Sequence, residues 1–149
     1  MEEPAQIQVA SPADGTVLNV LGAPIKVMSS GRDDQLFFAD HPVPPGYEVP
    51  LHVHADEDEL FYVLEGELTL YAQGGERTAG PGSFVHLPRG IAHGFANRSG
   101  RPARMLVVAT PGGALLGVFR GLDRALRSGE LTPAIIGQVL AANRLALAA

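Results

Sequence analysis

Short runs of apolar residues, separated by turns, dominate the first 110 residues of the chain. Several runs alternate between apolar and polar positions with a period of two, the period of a β-strand that buries one face. The 18 glycines and 12 prolines fall mainly between the runs, as expected for strands joined by tight turns. The even spacing predicts an all-β sandwich or barrel. The predicted strands span residues 16–21, 23–29, 35–40, 47–54, 59–64, 67–72, 83–87, 92–97 and 104–109.

The turn between the strands at 59–64 and 67–72 helps to define which side chains face inward. A tight hairpin is expected there, because Gly66 readily adopts the positive φ that such a turn needs. If Glu59 points inward, strand alternation places Phe61 on the same side and Tyr62 on the outside. The apolar outer face would then need to be covered by another sheet, by the tail of the chain or by a partner subunit.

Two polar segments are expected to lie at the surface. The segment 41–46 contains three prolines, which disfavour regular strand pairing, so we predict a loop with His41 exposed. The acidic segment 55–58 is predicted to be a solvated turn, as runs of charge usually are. A gate that repels anions, or a second metal site, is the alternative interpretation of this segment.

The pattern changes after residue 110, where apolar residues recur at helical spacing. This spacing predicts a helix over 114–127. Thr132 is a suitable N-cap and Pro133 a suitable first helical residue, which together predict a second helix that extends to about residue 147. We expect both helices to pack on the outside of the strands or on a second subunit. The predicted organisation is an N-terminal extension at 1–22, a β-domain at 23–110 and a helical tail at 111–149.

Four side chains in the middle of the chain indicate a metal site. His52 and His54 lie two residues apart on one predicted strand and therefore share a face. Glu59 can reach the same point across a bend, and His93 can reach it from a later strand. Three neutral imidazoles and one carboxylate suit a divalent transition metal, without choosing among Fe, Mn, Co, Ni, Cu and Zn. A metal-free polar cluster is disfavoured, because burying four ionisable groups without partners is costly.

These four residues belong to two gapped sequence patterns. The first is Gly46-x5-His52-x-His54-x4-Glu59-x6-Gly66 and the second is Gly82-x5-Pro88-x-Gly90-x2-His93-x3-Asn97. Both resemble the paired signature motifs of the cupin superfamily, position for position. The resemblance implies a small antiparallel β-barrel, a double-stranded β-helix of the jelly-roll type, here followed by the C-terminal pair of helices. It also implies that His52, His54, Glu59 and His93 bind one metal ion inside the barrel.

The resemblance implies a fold and a metal site but not one reaction, because cupins include dioxygenases, isomerases, decarboxylases, storage proteins and sugar-binding regulators. By similarity to the flavonol dioxygenases, we expect a metal-dependent dioxygenase acting on a small, partly apolar organic molecule. The alternatives are a metal-dependent isomerase, lyase or decarboxylase, and a non-catalytic cupin that binds a small molecule. For His86, a place on the outer surface is the competing interpretation. The residues expected to line the metal cavity are Phe61, Phe84, His86 and Phe95.

The composition narrows the range of partners. The net charge of -5 disfavours nucleic acid, and the absence of cysteine excludes disulfides and thiolate chemistry. No apolar run has the length of a membrane span, and residues 1–4 lack the basic and apolar regions of a signal peptide. We therefore expect a cytoplasmic protein without membrane partners. A homodimer is expected because small cupins usually associate and the apolar outer face needs cover.

Overall fold

The computed structural model describes residues 6–29 and 35–148. Residues 1–5, the start of the predicted N-terminal extension, lie outside this part of the chain. The strands are β1 (Thr16–Val20), β2 (Ala23–Val27), β3 (Phe37–Val43), β4 (Glu48–His54), β5 (Asp58–Glu65), β6 (Leu68–Ala72), β7 (Gly75–Ala79), β8 (Phe84–Leu87), β9 (His93–Ala96), β10 (Ala103–Thr110) and β11 (Leu145–Leu147). The helices are α1 (Gly113–Arg127) and α2 (Pro133–Ala142).

The described strands form two antiparallel sheets that share one apolar core. One sheet has the order β1-β2-β3-β10-β5-β8, and the other has the order β11-β4-β9-β6-β7. Side-chain alternation on β5 is as expected, since Phe61 is 1% exposed and Tyr62 is 46% exposed. The tight turn after β5 uses Gly66 with a φ of 76°. The predicted all-β architecture with two C-terminal helices is therefore confirmed.

Each of the nine predicted strands overlaps an observed one, but two observed strands were not expected from the sequence pattern. One of them, β7, is exposed over Gly75–Thr78 and buries only Ala79, so no apolar alternation marks it. It is held by pairing along the whole of β6. The other, β11, lies within the predicted second helix.

The segment 41–46 is not the loop that its prolines suggest, because β3 continues through His41 and Pro42. The carbonyl of Phe38 accepts a hydrogen bond from Met28, so every second residue after Phe38 turns its backbone toward β2. The pairing of β2 with β3 reaches only Asp40. Pro42 lies beyond it on the same side of β3, so the missing N–H of the proline breaks no hydrogen bond between strands. His41 is 3% exposed, so its predicted exposure is wrong.

The acidic segment 55–58 is also not simply a solvated turn. Glu57 is 1% exposed, and its carboxylate accepts hydrogen bonds from the backbone N–H groups of Gly112, Ala114 and Leu115. These groups form the start of α1, where free N–H donors and the helix dipole favour a negative charge. Glu57 therefore fixes α1 to the turn that leads into β5.

The tail begins as predicted and ends differently. Thr132 caps α2 by accepting a hydrogen bond from the Ile135 N–H at 3.2 Å. The helix ends at Ala142 rather than near residue 147, and Arg144 adopts a φ of 59° that reverses the chain. The following β11 pairs with the free edge of β4, which supplies the backbone partners that an edge strand lacks. Neither this helix nor any other in the described residues is long and apolar enough to cross a membrane.

Candidate metal centre

The structure brings His52, His54, Glu59 and His93 to one point inside the barrel. Their ligand atoms all lie within 4.8 Å of one another, and the four residues are between 1% and 8% exposed. Three of them come from one sheet, because His52 and His54 lie on β4 and His93 lies opposite His52 on β9. Glu59 comes from β5 in the other sheet. The site therefore depends on closure of the two sheets over each other.

Backbone carbonyl groups orient two of the three imidazoles. The Nδ1 atom of His52 lies 2.8 Å from the carbonyl oxygen of Pro50, at a register shift in the pairing of β4 with β9. The Nδ1 atom of His93 lies 3.2 Å from the carbonyl oxygen of Ile91. A carbonyl only accepts, so both rings carry a proton on Nδ1 in these contacts. Their Nε2 atoms are left with a lone pair, as in histidines that bind a metal.

Two glycines explain how His93 reaches the site. Gly90, in the corner before β9, has a φ of 78° and donates its N–H to the carbonyl oxygen of His54 at 2.8 Å. This contact ties the corner to the end of β4. A Cβ atom on Gly94 would lie 2.4 Å from the ring of Tyr71, so only glycine fits beside His93.

Asn97 secures the end of β9. Its side chain is buried, and its Nδ2 atom donates hydrogen bonds to the carbonyl oxygens of Val43 at 2.9 Å and Arg101 at 2.7 Å. Its Oδ1 atom accepts from the N–H of Ser99 at 3.1 Å. Asn97 thus satisfies the hydrogen bonding of backbone groups at the turn after β9. It holds in place the end of the strand that carries His93.

The donor atoms at the centre are spaced as metal ligands are. The Nε2 atoms of His52 and His54 are 3.0 Å apart, and Glu59 Oε2 lies 3.1 Å from His54 Nε2 and 3.3 Å from His93 Nε2. Ligands about 2.1 Å from one ion and at right angles lie about 3.0 Å apart. Among the described residues, three buried side-chain atoms have no hydrogen-bond partner, namely His54 Nδ1, Glu59 Oε2 and His93 Nε2. The last two are donor atoms at the centre. Their positions and chemistry fit a divalent transition metal.

Burial and neighbouring charge also set protonation states that suit a metal. Burial, together with the nearby His93, lowers the pKa of His52 to about 4, so this imidazole is neutral at neutral pH. Burial alone would raise the pKa of Glu59, but the adjacent His54 and His93 outweigh burial and hold that pKa below its usual range. A neutral imidazole and an ionised carboxylate are the forms that bind metals.

An apolar cavity of about 90 Å³ lies beside these donors, with His52 and Glu59 in its wall. The barrel also contributes His41, Tyr47 and Phe95 to this wall. The tail supplies much of the rest, including Leu115, Phe119, Ile136, Leu140 and Leu145. The tail therefore closes the cavity next to the four donors, and does not pack only on the outside of the barrel.

The four predicted cavity residues lie in different places. Phe95 lines the cavity, and Phe61 packs edge-on behind it with ring centroids 5.3 Å apart. Phe84 and His86 face outward, which corrects the prediction. The pairing of β5 with β8 places Glu59 opposite Leu87, so the alternate residues of β8 lie on the outer face. They border a solvent-open groove of about 550 Å³ between β8 and the β6–β7 hairpin, which reaches His93 from another side.

His41 and Tyr47 line the cavity but are not among the residues predicted from the sequence to do so. The signal for His41 is the alternation of Phe37, Ala39, His41 and Val43, all of which are buried. This period of two continues through Pro42, although the prolines of this segment predict a loop. The apolar residues of the tail were expected to be buried, but sequence alone does not indicate that they face the barrel interior.

Residues 41–109 match the Cupin domain family. Over 88 residues the chain is 32% identical to quercetin 2,3-dioxygenase from Bacillus subtilis, which corresponds to 59% of this chain and 26% of that enzyme. It is also 38% identical over 52 residues to an uncharacterized protein from Aquifex aeolicus, covering 35% of this chain and 42% of that protein. The chain thus spans less than half the length of each of these two relatives.

Two solved structures extend the comparison. The polyketide cyclase RemF from Streptomyces resistomycificus is 32% identical with a TM-score of 0.60, over 70% of this chain and 80% of that chain. A Cupin 2 conserved barrel domain protein from Salinispora arenicola has a TM-score of 0.56 at 16% identity, over 94% of this chain and 99% of that chain. The second likeness concerns the fold alone. With the matched domain, the barrel and these relatives together, the chain belongs to the cupin superfamily.

Proposed function

We propose that this protein is a metal-dependent enzyme that acts on a small, largely apolar organic molecule through an enol or phenol oxygen, with dioxygenation as the reaction. The observation that carries the proposal is that two residues of the four-donor cluster, His52 and Glu59, form part of the wall of an apolar cavity. Similarity to a region of quercetin 2,3-dioxygenase supports the type of reaction.

In this proposal, His52, His54, Glu59 and His93 hold one divalent transition metal. When bound, the metal supplies Lewis acidity and open coordination positions for oxygen ligands. The chain's own contribution is orientation, because the carbonyl groups of Pro50 and Ile91 fix two of the rings. The apolar wall excludes water from the reacting groups, which strengthens electrostatic interactions inside the cavity.

The cavity wall limits the class of substrate. No arginine or lysine lines the cavity in the described part of the chain, which disfavours phosphorylated and other strongly anionic compounds. A volume of about 90 Å³ is small compared with the roughly 300–1,000 Å³ of typical ligand sites. A substrate larger than a single ring therefore requires the tail to move. In this proposal α2 is the part that moves, because Leu140 is its only buried side chain.

An oxygen-independent reaction at the same site is the second candidate. The similarity to a polyketide cyclase covers more of the relative's length than the similarity to the dioxygenase does. Cyclisation, isomerisation, a lyase reaction or decarboxylation would each use the same metal and the same cavity without oxygen. A non-catalytic binding protein is the third candidate, with the same site holding a ligand that is not converted.

Turnover with and without oxygen separates these candidates. The protein is loaded in turn with Fe, Mn, Co, Ni, Cu or Zn and supplied with a panel of enols and phenols. We expect oxygen uptake in air and no product under strict anaerobiosis. Product formed without oxygen would favour the second candidate, and ligand-dependent thermal stabilisation without turnover would favour the third. Turnover that survives complete metal removal would contradict both catalytic candidates.

A homodimer is also part of this proposal. Tyr62 and Phe84 are cross-strand partners on the outer face of β5 and β8, and they are 46% and 65% exposed. Adjacent exposed aromatic side chains favour an interface between protein molecules. Light scattering should give about twice the chain mass of 15.6 kDa, and a Phe84→Ser variant should shift the mass toward the monomer. A monomeric mass for the wild-type protein would contradict the proposed homodimer.

A further inference from the structure

His41 lies in the same cavity as the four-donor cluster but is not one of the donors. It is 3% exposed and lines the cavity wall. Its ring packs edge-on against Tyr47 and Phe95, with ring centroids 5.4 and 5.9 Å away. The ring is therefore held firmly within a largely apolar wall.

The hydrogen bonding of His41 determines which ring nitrogen carries the proton. The Nδ1 atom lies 2.7 Å from the carbonyl oxygen of Pro42, which can only accept, so Nδ1 carries the proton. Burial lowers the pKa of His41 to about 4, and the ring is neutral at neutral pH. Nε2 is consequently an unprotonated hydrogen-bond acceptor.

No donor from the described residues reaches Nε2 of His41. The hydroxyl group of Tyr47, whose ring contacts His41, donates instead to the carbonyl oxygen of Val20 at 2.9 Å. The other neighbours, Phe95 and Met105, have no N–H or O–H group in their side chains. The Nε2 atom of His41 is not fully buried, and His41 lines the cavity. A ligand hydroxyl group in the cavity can therefore donate a hydrogen bond to it.

We propose that His41 is a substrate-binding residue whose Nε2 atom accepts a hydrogen bond from a hydroxyl group of the substrate. The inference rests on the proposed function for the substrate's other end, where an enol or phenol oxygen faces the four donors. The substrate class is thus an apolar molecule with two oxygen functions, one at the donor cluster and one hydroxyl group at His41. Sites that hydrogen-bond a hydroxyl group strongly reject analogues that lack it.

The metal-free protein allows a test that does not depend on catalysis. Phenol and toluene are close in size and differ in a hydroxyl group against a methyl group, and calorimetry gives the dissociation constant of each. In the His41→Phe variant, we expect the preference for phenol over toluene to fall by about tenfold or more relative to the wild-type protein. Comparing the two proteins cancels the different hydration of the two compounds. The Met105→Leu variant, altered next to His41 in the same wall, should keep the wild-type preference.

Nitrogen NMR of histidine-labelled wild-type protein provides a second readout that requires no variant. The Nδ1-protonated form of His41 should be visible directly, and its Nε2 signal should move upfield with phenol and stay in place with toluene. An unchanged phenol preference in His41→Phe, an unmoved Nε2 signal at saturating phenol, or no binding of phenol at all would overturn the inference. Because metal is absent throughout, failure of the metal-dependent function would leave these results unaffected and would be seen separately.

Discussion

The barrel and the tail contribute different chemistry to one cavity. The barrel supplies polar groups, including His41 and two residues of the four-donor cluster, His52 and Glu59. From the tail, residues 113–148, come apolar side chains such as Leu115, Phe119 and Leu140. The difference indicates that the barrel determines the reaction, whereas the tail determines the size and shape of the molecule that reacts. Mutations in the two regions should therefore affect different properties.

The largest expected effect is the loss of metal on removal of one barrel ligand. Four-ligand zinc sites bind with about 10–16 kcal/mol, so one ligand of four contributes about 2.5–4 kcal/mol, or up to several hundredfold in affinity. His52→Ala should therefore weaken metal binding by up to several hundredfold and abolish turnover, as measured by metal titration with a competing chelator. His86→Ala, which removes an exposed histidine, should bind metal like the wild-type protein. Equal affinities in the two variants would contradict the assignment of His52.

The next effect concerns the link between the two regions. Glu57→Ala removes a buried carboxylate that accepts three hydrogen bonds from the start of α1. It should lower the free energy of unfolding by about 4 kcal/mol, measured by urea denaturation. Glu67→Ala changes an exposed glutamate and should cost less than about 0.5 kcal/mol. A small effect at Glu57 would mean that α1 is held to the barrel by apolar contacts alone.

A substitution within the tail should separate ligand size from metal binding. Leu140→Ala truncates the single buried side chain of α2 and should lower the free energy of unfolding by about 3 kcal/mol. It should also enlarge the cavity, so that two-ring apolar compounds bind more tightly while metal affinity is unchanged. Leu126→Ala, at a 41% exposed tail position outside the cavity wall, is the matched control. Weaker metal binding in Leu140→Ala would show that the two regions are not independent.

The smallest expected effect is a pH dependence from the barrel. The pKa of His41 is lowered by burial to about 4 from 6.5, so the unfolded chain binds a proton between these values while the folded protein does not. Stability must therefore fall as the pH is lowered through this window. Metal-free wild-type protein should lose about 1.6 kcal/mol more than His41→Phe between pH 6.5 and pH 5. Parallel pH profiles for the two proteins would contradict a buried neutral His41.

The metal cluster could be predicted from sequence because its determinants are local. His52 and His54 share a face by strand alternation. The glycines around His93 occur where the backbone has a positive φ, as at Gly90, or where a Cβ atom would clash, as at Gly94. The same alternation, applied to His41, would have placed it inside the barrel. The neighbouring proline does not end the strand, because Pro42 lies where β3 has no partner on that side.

Other features could not be predicted because they depend on distant parts of the chain. Glu57 is buried only because the start of α1, more than 50 residues later, needs acceptors. Leu145 and Leu147 fit a helix and a strand equally well, and the free edge of β4 decides between them. The outward orientation of Phe84 and His86 follows from the register of β8 with β5. The sequence of β8 and of the corner after it does not determine this register.

Anomalous diffraction from crystals of the protein loaded with Co²⁺ tests the four-donor site most directly. We expect one strong anomalous peak per chain, within bonding distance of the Nε2 atoms of His52, His54 and His93 and of a carboxylate oxygen of Glu59. The cavity beside the peak should remain walled by the apolar tail. A loaded crystal with no peak at this point, or with its peak at another site such as the exposed His86, would contradict the metal centre and the reaction built on it.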